Sequence, residues 1–180
     1  MEKISNTKKL TRSAMLLAFA FVIILIGAQF GGVFYNQFIV APIVNASILA
    51  AVLFADTKYG VLVGLLTPVL ALITGQFNIP PFTPFIMVGN ALLALSFGLS
   101  AKYFISGGKY IGIIIGAIIK ALFLSFSVNY LVSLFGIGIP AKVISKLKIV
   151  MSYNQAYTAL AGGIIVLLLY EVYKRVEKAK

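Results

Sequence analysis

The sequence predicts an all-α membrane protein, a single bundle of six transmembrane helices over residues 1–180 with both termini in the cytoplasm. The first supporting observation is composition: 61% of the 180 residues are hydrophobic, only 11% are charged, and the mean hydropathy is +1.06. Such values are typical of membrane proteins and not of soluble domains. The second observation is a series of six apolar segments. The third is the clustering of basic residues at both ends of the chain.

The first predicted span covers residues 11–31 and follows a basic N-terminus. A basic region followed by an apolar run is also typical of a signal peptide. The apolar run from Ala14 to Ala28 is at the upper length limit for a signal core, and five further spans follow it. We therefore interpret this segment as an uncleaved first helix, with a cleaved leader as the alternative.

The remaining spans follow in order and are separated by short breaks. The second and third cover residues 38–55 and 58–75, with ADTKYG between them. The fourth covers residues 83–104 after GQFNIPPFTP, whose prolines predict a rigid turn. The fifth covers residues 110–135 after SGGK, and the sixth covers residues 152–173 after GIGIPAKVISKLK. Each span approaches or exceeds the roughly 20 apolar residues that a helix needs to cross a bilayer. The breaks are too short for a soluble catalytic module, so we expect one compact domain.

The distribution of charge predicts the orientation of the spans. With both termini inside, 11 of the 15 basic residues lie on the cytoplasmic side, as the positive-inside rule requires. The outer side then holds three lysines in the loop before the last span, Lys120 lies within the membrane, and every acid lies at the cytoplasmic side. The outer half therefore contains no carboxylate. The outer lysines are Lys142, Lys146 and Lys148, and the acids are Glu2, Asp56, Glu171 and Glu177.

The residue types that are missing argue against an enzyme. The chain has no cysteine and no histidine, and it has no paired carboxylates to hold a metal or move protons within the membrane. A nucleophile and base formed by Lys120 with Ser125 or Ser127 is disfavoured, because spacings of five and seven residues place them poorly on one helix. The same absences disfavour a proton-coupled carrier, whose relay usually needs a buried Asp, Glu or His. We expect no catalytic residue, no metal site and no cofactor.

Amide and aromatic side chains gather at one depth of the predicted bundle. Counting helical rise places amides from several helices in one layer of the outer half. Each amide alone could form an interhelical hydrogen bond, worth about 0.6 kcal/mol on average. Convergence from several helices instead predicts a small-molecule pocket, apolar with a few placed polar groups. The predicted substrate-binding residues, including the buried lysine, are Tyr35, Asn45, Phe82, Asn90, Lys120, Asn129, Asn154, Gln155 and Tyr157.

Lys120 stands in the middle of the apolar stretch GAIIKALFLSF. It follows Gly112 by eight residues and Gly116 by four, so the three share one helix face. Because small residues mark close helix packing, the ammonium is expected to point into the bundle, at the floor of the pocket or as a pin beneath it. A lysine inside a span is a functional-site hypothesis by default. The alternative is a lysine that binds backbone carbonyls or extends towards the cytoplasm.

Several motifs, in this order along the chain, carry a family resemblance. They are AMLLA from Ala14 to Ala18, PIVNASILAA, Gly60 and Gly64 with TPVLALITG, PFIMVGNALLAL, and NQAYTALAGG at the start of the last span. Together with six spans in 180 residues, they resemble the substrate-binding S components of energy-coupling factor (ECF) vitamin transporters. The likeness covers nearly the whole chain, and the order of the motifs gives it most of its specificity.

The resemblance implies a protein of the cell membrane that captures a vitamin or related micronutrient from outside with high affinity. Its pocket would lie near the outer surface, between helices four to six and loops one, three and five. Ala14 and Ala18 of helix one would dock onto a transmembrane coupling subunit that is driven by two cytoplasmic ATPase subunits. The chain has no nucleotide-binding loop, so ATP hydrolysis is expected only in these partners.

Charge placement narrows the expected cargo to a neutral or anionic small organic molecule. The absence of a carboxylate in or above the membrane disfavours thiamine-like cations, and the absence of histidine disfavours nickel and cobalt. The basic residues flank apolar spans, so they predict membrane orientation and not nucleic-acid binding. Two alternatives from other classes remain. One is an autonomous small carrier or channel that needs no ATPase, and the other is a purely structural membrane subunit.

Overall fold

The computed structural model describes residues 5–104 and 107–178, so Glu2, Lys3 and Lys180 of the predicted charge pattern lie outside the described residues. Within these ranges the chain is helical and contains no strand. We label its helices in chain order. They are α1 Asn6–Phe30, α2 residues 33–54, α3 Thr57–Ile73, α4 Thr83–Tyr103, α5 Gly108–Leu134, α6 Ala141–Val150 and α7 Tyr153–Lys178.

Membrane-spanning segments dominate the described part of the chain, as the sequence predicts. Five helical segments are long and apolar enough to cross a bilayer, and α3 is a shorter apolar helix of 17 residues. Five of the six predicted spans overlap these long segments, and the third predicted span, residues 58–75, overlaps the shorter helix α3. The five segments are Asn6–Phe30, Asn36–Phe54, Pro80–Tyr103, Gly108–Leu134 and Ala141–Glu177, the last of which combines α6 and α7.

Helix α6 lies where the sequence predicts only a loop. Val143, Leu147 and Val150 recur at helical spacing, so one side of the helix is apolar, whereas Lys142 and Lys148 are exposed. The apolar side packs against a buried cluster around Phe82 and Leu124. Ten residues of helix reach only about 15 Å. Helix α6 is therefore too short to cross a bilayer and packs on the bundle instead.

Two of the long helices contain a π-helical turn. Helix α2 begins with Val33–Tyr35, continues through the π-helical turn Asn36–Val40 and ends with Ala41–Phe54. Helix α5 passes through a similar turn at Ser127–Leu131. Such turns are rare and are often found at functional sites, because they change the direction in which neighbouring side chains point.

Glycines allow three helix pairs to approach closely. A β-carbon at Gly162 of α7 would lie 2.6 Å from the carbonyl oxygen of Pro42 on α2, so no larger residue fits there without movement. A β-carbon at Gly64 would lie 3.1 Å from the backbone of Asn90, and one at Gly116 would lie 3.0 Å from the side chain of Leu93. Helices α3 and α5 thus pack closely on the two sides of α4, which fixes the positions of the polar residues described below.

The connections between helices separate the bundle into two ends. One end holds the start of α1, the α2–α3 connection and the α4–α5 connection. Here Lys9 pairs with Asp56, and the ammonium of Lys109 lies 3.5 Å from the ring centre of Tyr170. We call this the terminal end. The other end holds the α1–α2 and α3–α4 connections and α6, and Gln76 donates a hydrogen bond there to Asn36. We call it the cavity end.

Candidate functional site

A cavity of about 330 Å³ opens at the cavity end. Its walls come from α1 to α7 and from the connection that follows α3. Most of its lining is aliphatic, and the polar groups are few and widely distributed. The polar lining residues are Asn36, Gln37, Asn45, Thr67, Gln76, Asn90, Lys120, Lys146 and Gln155.

Lys120 begins a chain of hydrogen bonds that joins three helices. Its ammonium, on α5, donates to Oδ1 of Asn45 on α2 over 2.7 Å. The Nδ2 of Asn45 donates to the hydroxyl of Thr158 on α7 over 3.2 Å, and that hydroxyl donates to the carbonyl of Gln155. All four side chains are buried, and Lys120 is only 3% exposed. The orientation of the Asn45 amide is therefore fixed by a donor on one side and an acceptor on the other.

The charge of Lys120 has no acidic partner among the described residues. Its only hydrogen bond there is to the neutral amide oxygen of Asn45, although an ammonium can donate three. Asp56 pairs with Lys9 at the terminal end, and Glu171 and Glu177 are exposed on the last turns of α7. A charge taken out of water is costly unless it is paired. The described residues thus supply no anion that could neutralise a charge on Lys120.

A proline in α3 determines the orientation of the Asn90 amide. Proline has no N–H, so Pro68 leaves the carbonyl of Gly64, four residues earlier, without its helical hydrogen bond. Nδ2 of Asn90 donates to this carbonyl over 3.3 Å and also approaches the hydroxyl of Thr67 at 3.3 Å. Oδ1 of Asn90 is buried and has no hydrogen-bond partner within the described protein.

The mouth of the cavity has a second group of amides. Nε2 of Gln76 donates to Oδ1 of Asn36, and Nδ2 of Asn36 donates to the carbonyl of Gly31, both over 3.3 Å. Nε2 of the neighbouring Gln37 is buried and has no partner among the described atoms. Lys146 of α6 completes this side of the lining and is itself exposed. The mouth therefore offers hydrogen-bond donors and one exposed positive charge.

The structure brings together four of the predicted binding residues, Asn45, Asn90, Lys120 and Gln155, in the lining of this cavity. Gln155 is 8% exposed and donates to the carbonyl of Val150. The other five predicted residues do not line it. They are Tyr35, Phe82, Asn129, Asn154 and Tyr157.

These five residues have other surroundings. Phe82 is fully buried beneath α6, and the exposed ring of Tyr157 lies against Phe38. Asn129 is exposed and bonds its own helix at Ser125, beside a separate depression of about 310 Å³. Asn154 bonds the carbonyl of Ile149. Tyr35 is half-buried and packs in a small cluster with Ile24 and Val40.

Four polar lining residues were not predicted from the sequence: Asn36, Gln37, Thr67 and Gln76. Lys146 was predicted as one of the outer lysines but not as one of the binding residues. Asn36 and Gln37 precede the second predicted span, and their orientation depends on the π-helical turn, which hydropathy does not reveal. Gln76 lies in a connection. Thr67 could have been predicted, because it directly precedes a proline inside a helix. A proline there leaves a backbone carbonyl without its N–H donor, and a neighbouring polar side chain can take that place.

The two alanines predicted for partner docking lie on the outer side of α1. Ala14 and Ala18 are both exposed, and the large apolar residues Met15, Phe19 and Val22 are exposed beside them. The opposite side of α1 is buried against the bundle through Ala20 and Ile24 among others. The docking prediction thus falls on a free helix surface, and it stays a prediction.

The terminal end differs from the cavity in its electrostatics. Lys9 donates to Asp56 over 2.9 Å, and this hydrogen bond is the main reason why the pKa of the Asp56 carboxyl lies below its ordinary value. Partial burial opposes the shift, and the backbone N–H of Thr57 adds to it. The described residues contain no group of three or more acids that could hold a metal ion. Arg12 donates to the carbonyl of Phe54 in the same region.

Residues 8–173 match the family model described as "ECF transporter, substrate-specific component". No curated protein and no solved structure matches the chain. The matched range includes every residue that lines the cavity.

Proposed function

We propose that this chain, which belongs to the ECF transporter family of substrate-specific components, captures a vitamin or related small organic micronutrient in the cavity at its cavity end. It is a multi-pass membrane protein, in agreement with its apolar helices. The whole chain would act as one substrate-binding domain without catalytic activity. The cargo is neutral or anionic, and it is taken up across the cell membrane with ATP hydrolysed by partner subunits.

The observation that carries this proposal is the buried ammonium of Lys120. It lines the cavity, it bonds a neutral amide, and no carboxylate of the described residues lies within ion-pair distance. In a region of low dielectric, a ligand carboxylate beside it would form a strong charge-assisted hydrogen bond. A cationic cargo would meet repulsion and no counter-charge. An anion, or a neutral molecule rich in hydrogen-bond acceptors, therefore fits best.

The size and lining of the cavity agree with a vitamin-sized molecule. A volume of about 330 Å³ lies in the range of small-molecule pockets, which are mostly apolar with a few placed polar groups. Aliphatic residues such as Ile24, Val40 and Ile86 would enclose the apolar part of the cargo. The amides and Lys120 would orient its polar part.

The orientation that we propose places the terminal end in the cytoplasm. Lys8, Lys9, Arg12, Lys174 and Arg175 all lie on helix segments at that end, as the positive-inside rule favours. The cavity end would then face the outside, where the nutrient is captured. A transmembrane coupling subunit and two cytoplasmic ATPase subunits would provide the driving force, with Ala14 and Ala18 as the docking surface.

Thermal-shift measurements on the purified protein test the cargo class. The panel contains biotin, pantothenate, nicotinate, lipoate, riboflavin and thiamine, each added at equal concentration. We expect an anionic or neutral member to raise the unfolding temperature by several degrees, because a ligand that binds only the folded state stabilises it. Stabilisation by thiamine alone, or by no member, would overturn the proposal.

The partnership is tested separately against an autonomous carrier or channel. We expect the chain to co-purify with an ATPase complex and to lose it when Ala14→Trp or Ala18→Trp places a large ring on the exposed side of α1. Leu168→Trp is the matched control, because Leu168 is also an exposed apolar residue, on the separate helix α7. Uptake by vesicles that contain this chain alone would favour the autonomous carrier and contradict the proposed partnership.

A further inference from the structure

The orientation of the Asn90 amide determines which of its atoms is left for a ligand. Nδ2 faces the carbonyl of Gly64, and a carbonyl oxygen can only accept. Turning the amide over would place two oxygens against each other, so the assignment of nitrogen and oxygen follows from the chemistry of the contact. Oδ1 is consequently the free atom of Asn90, which lines the cavity and is 4% exposed.

Pro68 maintains this arrangement. In a regular helix the N–H of residue 68 would occupy the carbonyl of Gly64, and the Asn90 amide would lose its main anchor. Because proline supplies no N–H, that carbonyl attracts Asn90 and Thr67 instead. Gly64 also allows α4 to approach closely enough for the contact, since a β-carbon there would lie 3.1 Å from the Asn90 backbone.

A buried acceptor without a partner is unfavourable, and native structures rarely keep one without a reason. The nearby side chains do not supply a donor: Nδ2 of Asn90 is already engaged, and the hydroxyl of Thr67 is directed to the Gly64 carbonyl. The position in the cavity lining suggests that the missing donor belongs to the cargo.

We infer that the cargo carries an N–H or O–H group that donates a hydrogen bond to Oδ1 of Asn90, and that Asn90, held by the carbonyl that Pro68 leaves free, selects for this group. The inference rests on the proposed function, because it assigns a second recognition contact in the same cavity. Lys120 would meet an anionic or acceptor group and Asn90 a donor group. The cavity would thus recognise the cargo through two contacts, a hydrogen-bond donor at Lys120 and an acceptor at Asn90.

The same panel of vitamins separates this inference from the proposed function. Biotin and pantothenate carry N–H or O–H donors in addition to a carboxylate, whereas nicotinate and lipoate carry a carboxylate without such a donor. We expect the member that stabilises the protein most to be donor-bearing. If nicotinate or lipoate stabilises it most, the inference about Asn90 is wrong and the proposed function stands. If only thiamine or no member does, the proposed function itself fails.

The role of Asn90 is then tested with the best-binding member and an analogue in which its donor N–H or O–H is replaced by CH2 or H. Wild-type protein should bind the analogue at least about 10-fold more weakly, since one lost hydrogen bond with an acceptor left unpaired is worth about that factor. Asn90→Ala should bind both compounds with nearly equal affinity. In this variant the hydroxyl of Thr67 still occupies the Gly64 carbonyl, so we expect it to fold.

Thr83→Val is the matched control. Thr83 is buried on the same helix, its hydroxyl has no partner among the described residues, and it does not line the cavity. This variant should discriminate between the two compounds as the wild type does. Pro68→Ala is the second variant, and it leaves residue 90 unchanged. It restores a helix N–H for the Gly64 carbonyl, so it should reduce the discrimination between the best-binding member and its analogue. An undiminished 10-fold preference in Asn90→Ala would overturn the inference, and an undiminished preference in Pro68→Ala would overturn the role assigned to the proline.

Discussion

Two lysines of this protein differ in how their positive charge is compensated: Lys9 lies at the terminal end and Lys120 in the cavity. Lys9 is partly exposed and has a carboxylate, Asp56, at 2.9 Å. Lys120 is buried and has only the amide oxygen of Asn45, at 2.7 Å. Lys9, which water can still stabilise, thus has an acidic partner, whereas Lys120, which is shielded from water, has none among the described residues.

The difference teaches how a binding site can be distinguished from a structural contact. A charge that serves only the fold is paired within the protein or solvated, as at the terminal end. A buried charge left with a neutral partner is stable only at some cost, and that cost decreases when a ligand brings the missing anion. In the proposed function, the molecule that supplies this anion at the cavity end is the cargo.

The largest effect on ligand affinity is expected when a substitution gives Lys120 an acidic partner within the protein. Asn45→Asp would place a carboxylate at the position of the amide oxygen and make the cavity resemble the terminal end. The empty protein should not be destabilised, and affinity for the best-binding anion should fall by about 4 kcal/mol, roughly 1,000-fold, since like charges would then adjoin. Isothermal titration calorimetry measures this loss. Unchanged affinity would show that the anion lies away from Lys120.

Removal of the charge should have a slightly smaller effect. Lys120→Met keeps an unbranched side chain, one atom shorter, and it should weaken binding of the same anion by about 3 kcal/mol, roughly 100-fold. Lys109→Met on the same helix, over the ring of Tyr170 at the terminal end, is the control and should bind normally. If Lys120→Met lowers the unfolding temperature but keeps the affinity, Lys120 is a pin between helices and not the floor of the site.

Lys146 should contribute much less, because it is exposed at the mouth. Lys146→Met should weaken binding of the anion by about 0.7 kcal/mol, roughly threefold, and the effect should disappear in high salt. Lys142→Met serves as the control: this residue is exposed one turn earlier on α6 and does not line the cavity. An effect as large as that of Lys120→Met would mean that α6 closes over the cargo and buries this charge.

The smallest effect is expected at the terminal end. Asp56→Asn removes the pair with Lys9 and preserves a side-chain oxygen for the N–H of Thr57, so it should lower the free energy of unfolding by about 0.5 kcal/mol and leave affinity unchanged. The pKa of Asp56 is depressed below 3.8 by folding, so its stabilising contribution is complete above that pH and is lost as the pH falls through the lower folded-state pKa.

Thermal unfolding of wild type and Asp56→Asn at several pH values measures that contribution. The difference in stability between the two proteins should be constant near neutral pH and should vanish in strong acid. A difference that persisted in acid would mean that Asp56 stabilises the protein as a helix cap and not through its charge.

Composition and hydropathy predicted a helical membrane protein, and this is confirmed, because apolar length alone identifies such helices. They also predict a depth for each polar residue along its helix. The direction in which it points around the helix axis depends on details that hydropathy does not contain. Asn45, Asn90 and Lys120 lie on glycine-marked or buried faces and reach the cavity, whereas Asn129 lies within a π-helical turn and faces outwards. The sequence did not predict helix α6, because its apolar pattern covers only ten residues and is interrupted by lysines.

The π-helical turn Asn36–Val40 determines how the start of α2 is rotated about the helix axis relative to Ala41–Phe54. Such a turn holds one residue more than a regular turn, and each helical residue rotates its successor by about 100°. Loss of one residue here would leave Ala41–Phe54 packed as before and turn the preceding segment, with Asn36 and Gln37, away from the cavity. Deletions and insertions in this segment would therefore move Asn36 and Gln37 together, a route by which related chains could diverge in cargo while keeping the same buried helix contacts.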